Sequence, residues 1–209
     1  DHSEFLERFR RDPMIGETTK RVRGLRPVRT PTVAQSLLRA VCGQLIQARH
    51  ARAIEARVIR AVMPQLPGTR FHSPPGSASL ARLSPAELRS LGLGGRRAAT
   101  LVRLCRSLDL ERLRSQPSSA VADRLGRERG LGPWSVGVVF LQGLGRYDRG
   151  LVADLGLVKL LSAIRGRWVE GWETAELLEP YGEWAGLASV YLLQAYRLGL
   201  VPLPDSAAA

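Results

Sequence analysis

Apolar residues recur along most of this chain at the three- and four-residue spacing of a helix face, and no run alternates with period two for long enough to argue a sheet. Phe5, Leu6 and Phe9 suit a short amphipathic helix that Pro13-Met14-Ile15-Gly16 breaks. Residues 17–31 are Arg-rich, carry Gly24, Pro27 and Pro31, and read as an extended connector. Thr32 is placed to cap a helix carrying Val33, Leu37, Leu38, Val41, Leu45 and Ile46. A helix near 50–63 brings Ala53, Ile54, Val58, Ile59 and Val62 close to one face, and Pro64 to Ser79 reads as an irregular loop.

Ser84-Pro85-Ala86-Glu87 has the signature of a helix start, with Ser as cap, Pro in the first turn and Glu in the capping-box position. That helix ends at Gly92-Leu93-Gly94-Gly95, and the next runs through Ala98, Leu101, Val102, Leu104 and Cys105 to Leu108. Further helices are expected near 119–129, 134–143, 154–164, 173–179 and 183–198. The pattern predicts an all-α architecture of about nine or ten helices joined by short Gly/Pro turns. We read residues 1–209 as a single domain built from two helical lobes.

Charge narrows the partner. Lys and Arg number 31 against 19 acidic residues, a formal +12 in a chain that is 44% hydrophobic, so the basic field belongs to a packed protein and not to a disordered tail. Such a field favours polyanions through counterion release and steering. A genome bias toward Arg accounts for there being two lysines, Lys20 and Lys159, but not for the excess over acids. The apolar stretches are short of a membrane span and no signal-peptide pattern opens the chain, so a cytoplasmic protein is expected. Cys42 and Cys105 stand in apolar helical patterns and read as buried, reduced thiols, too few for a disulfide framework or a cysteine-bound cluster. His2, His50 and His72 lack metal-ligand spacing.

Candidate chemistry centres on Gly130-Leu131-Gly132-Pro133-Trp134-Ser135 and on Asp154, twenty residues after the tryptophan. Gly130 and Gly132 can take positive φ and turn the backbone sharply between helices, leaving the N–H groups of the second helix start for an anion. A plain helical hairpin needs the same glycines. A carboxylate beyond such a turn is placed to serve a reacting sugar, and Asp154 also suits the N-cap of the helix after it.

The ordered set Gly43-Gln44-Leu45, Leu88 through Leu104, Gly130 through Trp134 and Ala153-Asp154-Leu155-Gly156-Leu157 resembles the helix-hairpin-helix base-excision DNA glycosylases, most closely the 3-methyladenine DNA glycosylase II branch, from about Pro13 to Pro202. The resemblance implies a monofunctional enzyme that flips alkylated purines out of duplex DNA and hydrolyses the glycosidic bond, acting as a monomer on damaged double-stranded DNA. It implies Asp154 as the catalytic carboxylate, Leu45 as the wedge and Gln44 as a contact to the opposite strand. Gly130, Gly132, Trp134 and Arg129 would bind the DNA backbone. Trp134, Trp184 and Val138 would line the base pocket.

Trp134 stands where lyase-competent relatives carry a nucleophilic lysine, and Val138 where some carry a tyrosine. Arg129 replaces a common proline. The resemblance further implies a structural monovalent cation on the main-chain carbonyls of Gly126, Glu128 and Leu131, with no other cofactor required. Leu45 as a core leucine, and Trp134 and Trp184 as buried structural aromatics, are the competing readings. At the level of function the alternatives are a catalytically silent protein that binds damaged DNA and a glycosylase for oxidised or deaminated bases.

Overall fold

A helix start leaves backbone N–H groups without acceptors, and several helices of this chain begin where a side chain supplies one. In the computed structural model, which describes residues 2–203, the Thr32 hydroxyl accepts from the Gln35 N–H at 3.0 Å at the start of helix Val33–Gly43. The Glu111 carboxylate, far along the chain, takes the N–H groups of Val33 (2.7 Å) and Ala34 (3.2 Å) at the same helix end. Ser84 and Glu87 form the expected reciprocal box at helix Pro85–Ser90.

The chain divides into two units, Arg29–Gly145 and a second made of the chain up to Val28 together with that from Arg146 onward. In the first unit the central element is helix Val33–Gly43, whose neighbours are helices Ala48–Val62, Gly95–Ser107 and Pro133–Val138 and the π-helical segment Val139–Leu144. Its Val33, Leu37, Leu38 and Val41 are fully buried, as are Leu101, Leu104 and Phe140. Each such side chain contributes about 1.5–3 kcal/mol relative to exposure. Glu55 is buried in this unit and is held by the Arg39 guanidinium at 3.0 Å.

In the second unit helix Ala185–Arg197 is central, with Gly16–Arg21, Leu155–Arg165 and Thr174–Leu178 against it. Phe5, Ile15, Leu187, Tyr191 and Leu192 form its core. Phe5 lies 4.9 Å from Tyr191 and Phe9 lies 5.1 Å from Tyr181, ring centre to ring centre.

The all-α expectation holds: among the described residues the only strand-like pairing is an isolated bridge between Gln65 and His72. Both cysteines are buried free thiols, and burial pushes each up to about 12. No helix among the described residues is long and apolar enough to cross a membrane. The ends of the 1–209 span, Asp1 and 204–209, lie outside the described residues.

Four local expectations are corrected. The connector 17–31 is not extended throughout, because Gly16–Arg21 is helical. The Asp12 carboxylate accepts from the N–H groups of Met14 (2.8 Å) and Ile15 (2.9 Å), so the Pro13–Gly16 stretch is a side-chain-stapled turn that leads into a helix. The loop after Pro64 ends at Gly76, where helix Ser77–Ala81 begins. The helix expected over 119–129 stops at Gly126. The helix that was to carry Leu45 and Ile46 stops at Gly43.

Candidate functional site

The hairpin, Gln44, Leu45 and Trp134 belong to the Arg29–Gly145 unit, while Asp154 and Trp184 belong to the other. The hairpin joins helix Ser118–Gly126 to helix Pro133–Val138. Its turn uses one left-handed glycine where two were expected: Gly130 has φ +94°, but Gly132 has φ −93° and is the extended N-cap of the second helix. A side chain at Gly130 would strike Thr100, so the turn also sits tightly on helix Gly95–Ser107. Gly132 has open space where a side chain would stand, and no side chain caps the helix it begins. Backbone N–H groups at such an end suit an anion.

Behind the turn Glu128 is 8% exposed and takes Arg103 on one oxygen and Arg124 (2.8 Å) on the other. Arg103 also donates to the Arg129 carbonyl at 2.8 Å. One buried acid thus anchors two arginines beneath a turn whose surface carries the exposed Arg127 and Arg129, and the local balance stays positive. The sequence pattern did not reveal this brace, because Arg103 and Glu128 meet only through the fold.

Leu45 is fully exposed at φ +57°, a conformation that costs an L-residue about 1–2 kcal/mol. The reading as a core leucine is therefore excluded. The loop that carries it is held from both sides: Arg97 donates to the Gln44 carbonyl (2.9 Å), and the Gln44 side-chain nitrogen donates to the Gly130 carbonyl (2.9 Å) and the Ser135 hydroxyl (2.9 Å). The half-buried Trp134 ring lies against Gly43, where any side chain would meet the indole at 2.6 Å. Val138, one turn on, is buried.

The resemblance also implies a cation at Gly126, Glu128 and Leu131. Gly126 closes its helix, so its carbonyl is among those that lack a partner within the helix. The Glu128 carbonyl accepts from the Leu131 N–H at 3.0 Å and retains a second lone pair. Neutral carbonyl oxygens on one short turn fit a monovalent cation in kind. Among the described residues no cluster of His, Cys, Asp and Glu suits a metal.

In the other unit Asp154 is the half-buried N-cap of helix Leu155–Arg165, its Oδ1 accepting from the Gly156 N–H at 2.8 Å. Ala153, just before it, has φ +67°. The Ala153 N–H donates to the Thr174 hydroxyl at 2.8 Å, and Gly171 packs against the Ala153 methyl. The Leu151 N–H, three residues before Asp154, donates to Ser189 on the central helix at 3.0 Å.

Glu173 braces the neighbouring segment Gly171–Thr174, whose ends meet Ala153. Its carboxylate is hydrogen-bonded by Arg167, accepts from the Glu170 N–H at 2.7 Å and pairs with Arg165, which together hold it down to about 2. Leu155 (59% exposed), named in the sequence only as part of the Asp154 stretch, and Trp172 (68% exposed), which carried no signal there, are large apolar side chains open to solvent in this region. Trp184 is half-buried between Phe5 (5.8 Å) and Tyr147 (5.9 Å, stacked), with its Nε1 buried and lacking a hydrogen-bond partner among the described residues.

Comparison with known proteins places this geometry. The Archaeoglobus fulgidus 3-methyladenine DNA glycosylase structure superposes with a TM-score of 0.80 at 20% identity, over 97% of this chain and 72% of that one. This chain has the helix-hairpin-helix DNA glycosylase fold.

A Clostridium acetobutylicum 8-oxoguanine glycosylase/lyase, solved with DNA containing cytosine opposite the lesion, shares this glycosylase fold with a TM-score of 0.81 at 18% identity, over 95% of this chain and 71% of that one. A curated relative, the DNA-3-methyladenine glycosylase of Bacillus subtilis (strain 168), is 24% identical over 201 residues, 92% of this chain. This chain spans 66% of the length of that relative. No family model matches the chain. The resemblance read from the hairpin and Asp154 is borne out at the level of this fold.

Proposed function

We propose that this chain is a monofunctional DNA glycosylase that releases alkylated purines from duplex DNA. The observation that carries the reading is that its two non-glycine residues at positive φ among those described are Leu45, at the proposed wedge, and Ala153, beside the proposed catalytic carboxylate. Strain of that kind, about 1–3 kcal/mol per residue, persists where surrounding contacts enforce it and clusters at working sites.

The hairpin from Gly130 to Trp134, with Arg129, grips a backbone phosphate through N–H groups and charge. Carbonyls of Gly126, Glu128 and Leu131 would hold a monovalent cation, adding positive charge to that grip. Turning a damaged nucleotide out of the stack costs about a few kcal/mol, less for a lesion. Burying a leucine between the vacated bases returns about 1.5–3 kcal/mol, which is the right scale for Leu45 to offset the loss. Trp134, half-buried and backed by the buried Val138, offers an indole to an electron-poor base, whereas the Trp184 ring is already stacked on Tyr147 in its own unit.

An alkylated purine is already cationic, so the bond from its nitrogen to the sugar breaks with the electron pair going to the base. Asp154 stabilises the positive charge left on the sugar and orients the water that attacks it, and the proton which that water loses as its C–O bond forms passes to the Asp154 carboxylate and on to solvent. Tryptophan at position 134 cannot form a Schiff base, so the abasic strand remains unbroken. The partner is double-stranded DNA with a damaged base, engaged by a monomer.

Incubating the wild-type protein with a duplex that carries one alkylated purine tests the reading. Free alkylpurine is expected, with strand breakage only after alkali. The 8-oxoguanine glycosylase/lyase among the structural relatives favours a second reading, oxidised bases, and a parallel duplex with 8-oxoguanine decides between them. Release from that duplex alone would move the assignment to oxidised purines. Tight binding to both without release would leave a silent recognition protein.

A further inference from the structure

The sequence suggested that Gln44 reaches the strand opposite the lesion, yet in the folded chain its side-chain nitrogen is already engaged. A carboxamide nitrogen carries two hydrogens, and here there are two acceptors: the Gly130 carbonyl and the Ser135 hydroxyl, each at 2.9 Å. These two lie on either side of the exposed hairpin tip Gly132-Pro133. From the other side of the Leu45 loop, Arg97 donates to the carbonyls of Cys42 (3.3 Å) and Gln44 (2.9 Å). The Trp134 ring on Gly43 closes the third contact between the segments. Segments 42–45 and 130–135 therefore grip each other, and the Leu45 side chain is left projecting fully into solvent.

We infer that Gln44 is a positioning residue that makes the Leu45 loop and the hairpin one rigid body, so that seating the hairpin on a DNA backbone aims Leu45 at the stack. The inference rests on the glycosylase reading above. Pre-ordering matters because a loop fixed before binding pays no ordering entropy at the moment of insertion. Gln44 on this view acts through Leu45 and does not read the opposite base.

Base flipping, followed by the fluorescence of 2-aminopurine placed beside the lesion, separates the two roles. Gln44→Leu and Ser135→Ala are each expected to weaken flipping by about three- to tenfold, the range of one or two lost hydrogen bonds. The double variant should be no weaker than Gln44→Leu alone, and the losses should be the same with any base opposite. The salt slope for undamaged duplex should stay at the wild-type value, since no phosphate contact is removed. In free protein, amide hydrogen exchange across 130–135 should quicken in Gln44→Leu, with the urea midpoint recording any general destabilisation.

Several results would overturn the inference. One is Ser135→Ala behaving as wild type while Gln44→Leu depends on the opposite base. Another is losses that multiply in the double variant or that follow the urea midpoint alone. Unchanged flipping in all variants would do the same while leaving the glycosylase reading standing. A wild-type protein that neither binds nor flips the damaged duplex would remove that reading and the strut with it.

Discussion

The loop at Leu45 and the turn at Ala153 pose the same backbone problem and solve it differently. Both force an L-residue into the left-handed region. At Leu45 the surroundings fix the neighbours, Gln44 by Arg97 and by the hairpin, and leave the residue's own side chain in solvent. At Ala153 the strained residue itself is clamped, its N–H on Thr174 and its methyl against Gly171, while the next residue, Asp154, is fixed by a hydrogen bond to the Gly156 N–H. The first arrangement suits a part that must enter something. The second suits a carboxylate that must stay where it is while charge develops before it.

The largest effect expected on this comparison is at Asp154. Asp154→Asn should slow base release by about a hundred- to ten-thousand-fold, the usual range for a charged group acting in the transition state, with duplex affinity little changed. Single-turnover release and a binding titration measure the two separately. Leu45→Ala comes next: loss of about 2 kcal/mol of apolar burial predicts about a thirtyfold loss of flipping, and release should fall with it. If flipping survives that truncation, the exposed leucine is not the part that enters the stack.

Smaller effects probe how the two strains are held. Ala153→Gly removes the left-handed penalty and should raise stability by up to about 1 kcal/mol in urea unfolding. Destabilisation instead would mean that the Ala153 methyl packing outweighs the backbone strain. Glu173 makes the Gly171–Thr174 segment that clamps Ala153 acid-sensitive. Its folded carboxyl sits at about 2, below an unfolded value of about 4.3. The stability it contributes is therefore complete above about pH 5 and is lost as pH falls toward 2. Glu173→Gln should flatten that part of the pH dependence of the melting temperature. Arg129→Ala should lower the salt slope of duplex binding by about one, at all sequences equally.

Much of the fold was legible because its signals are local. Thr32, the Ser84–Glu87 box and the hairpin glycine Gly130 each act within a few residues, so their spacing alone reveals them. The helix Gly16–Arg21 was hidden by Pro13 and Gly16, which read as breakers until the Asp12 carboxylate is seen holding the turn. Periodicity ran on through Leu45 because a leucine at helical spacing carries no mark of positive φ. Only the Arg97 and Gln44 contacts, both between segments distant in sequence, define where that helix ends. For the same reason Asp154 was legible from its spacing and the resemblance, while the Thr174 and Ser189 contacts that fix its turn were not.

One measurement tests the division of labour directly: flipping and release recorded together on one alkylated duplex for wild type, Asp154→Asn and Leu45→Ala. The account predicts that Asp154→Asn keeps the flipping signal and loses release, whereas Leu45→Ala loses both in proportion. Release at the wild-type rate by Asp154→Asn would contradict it.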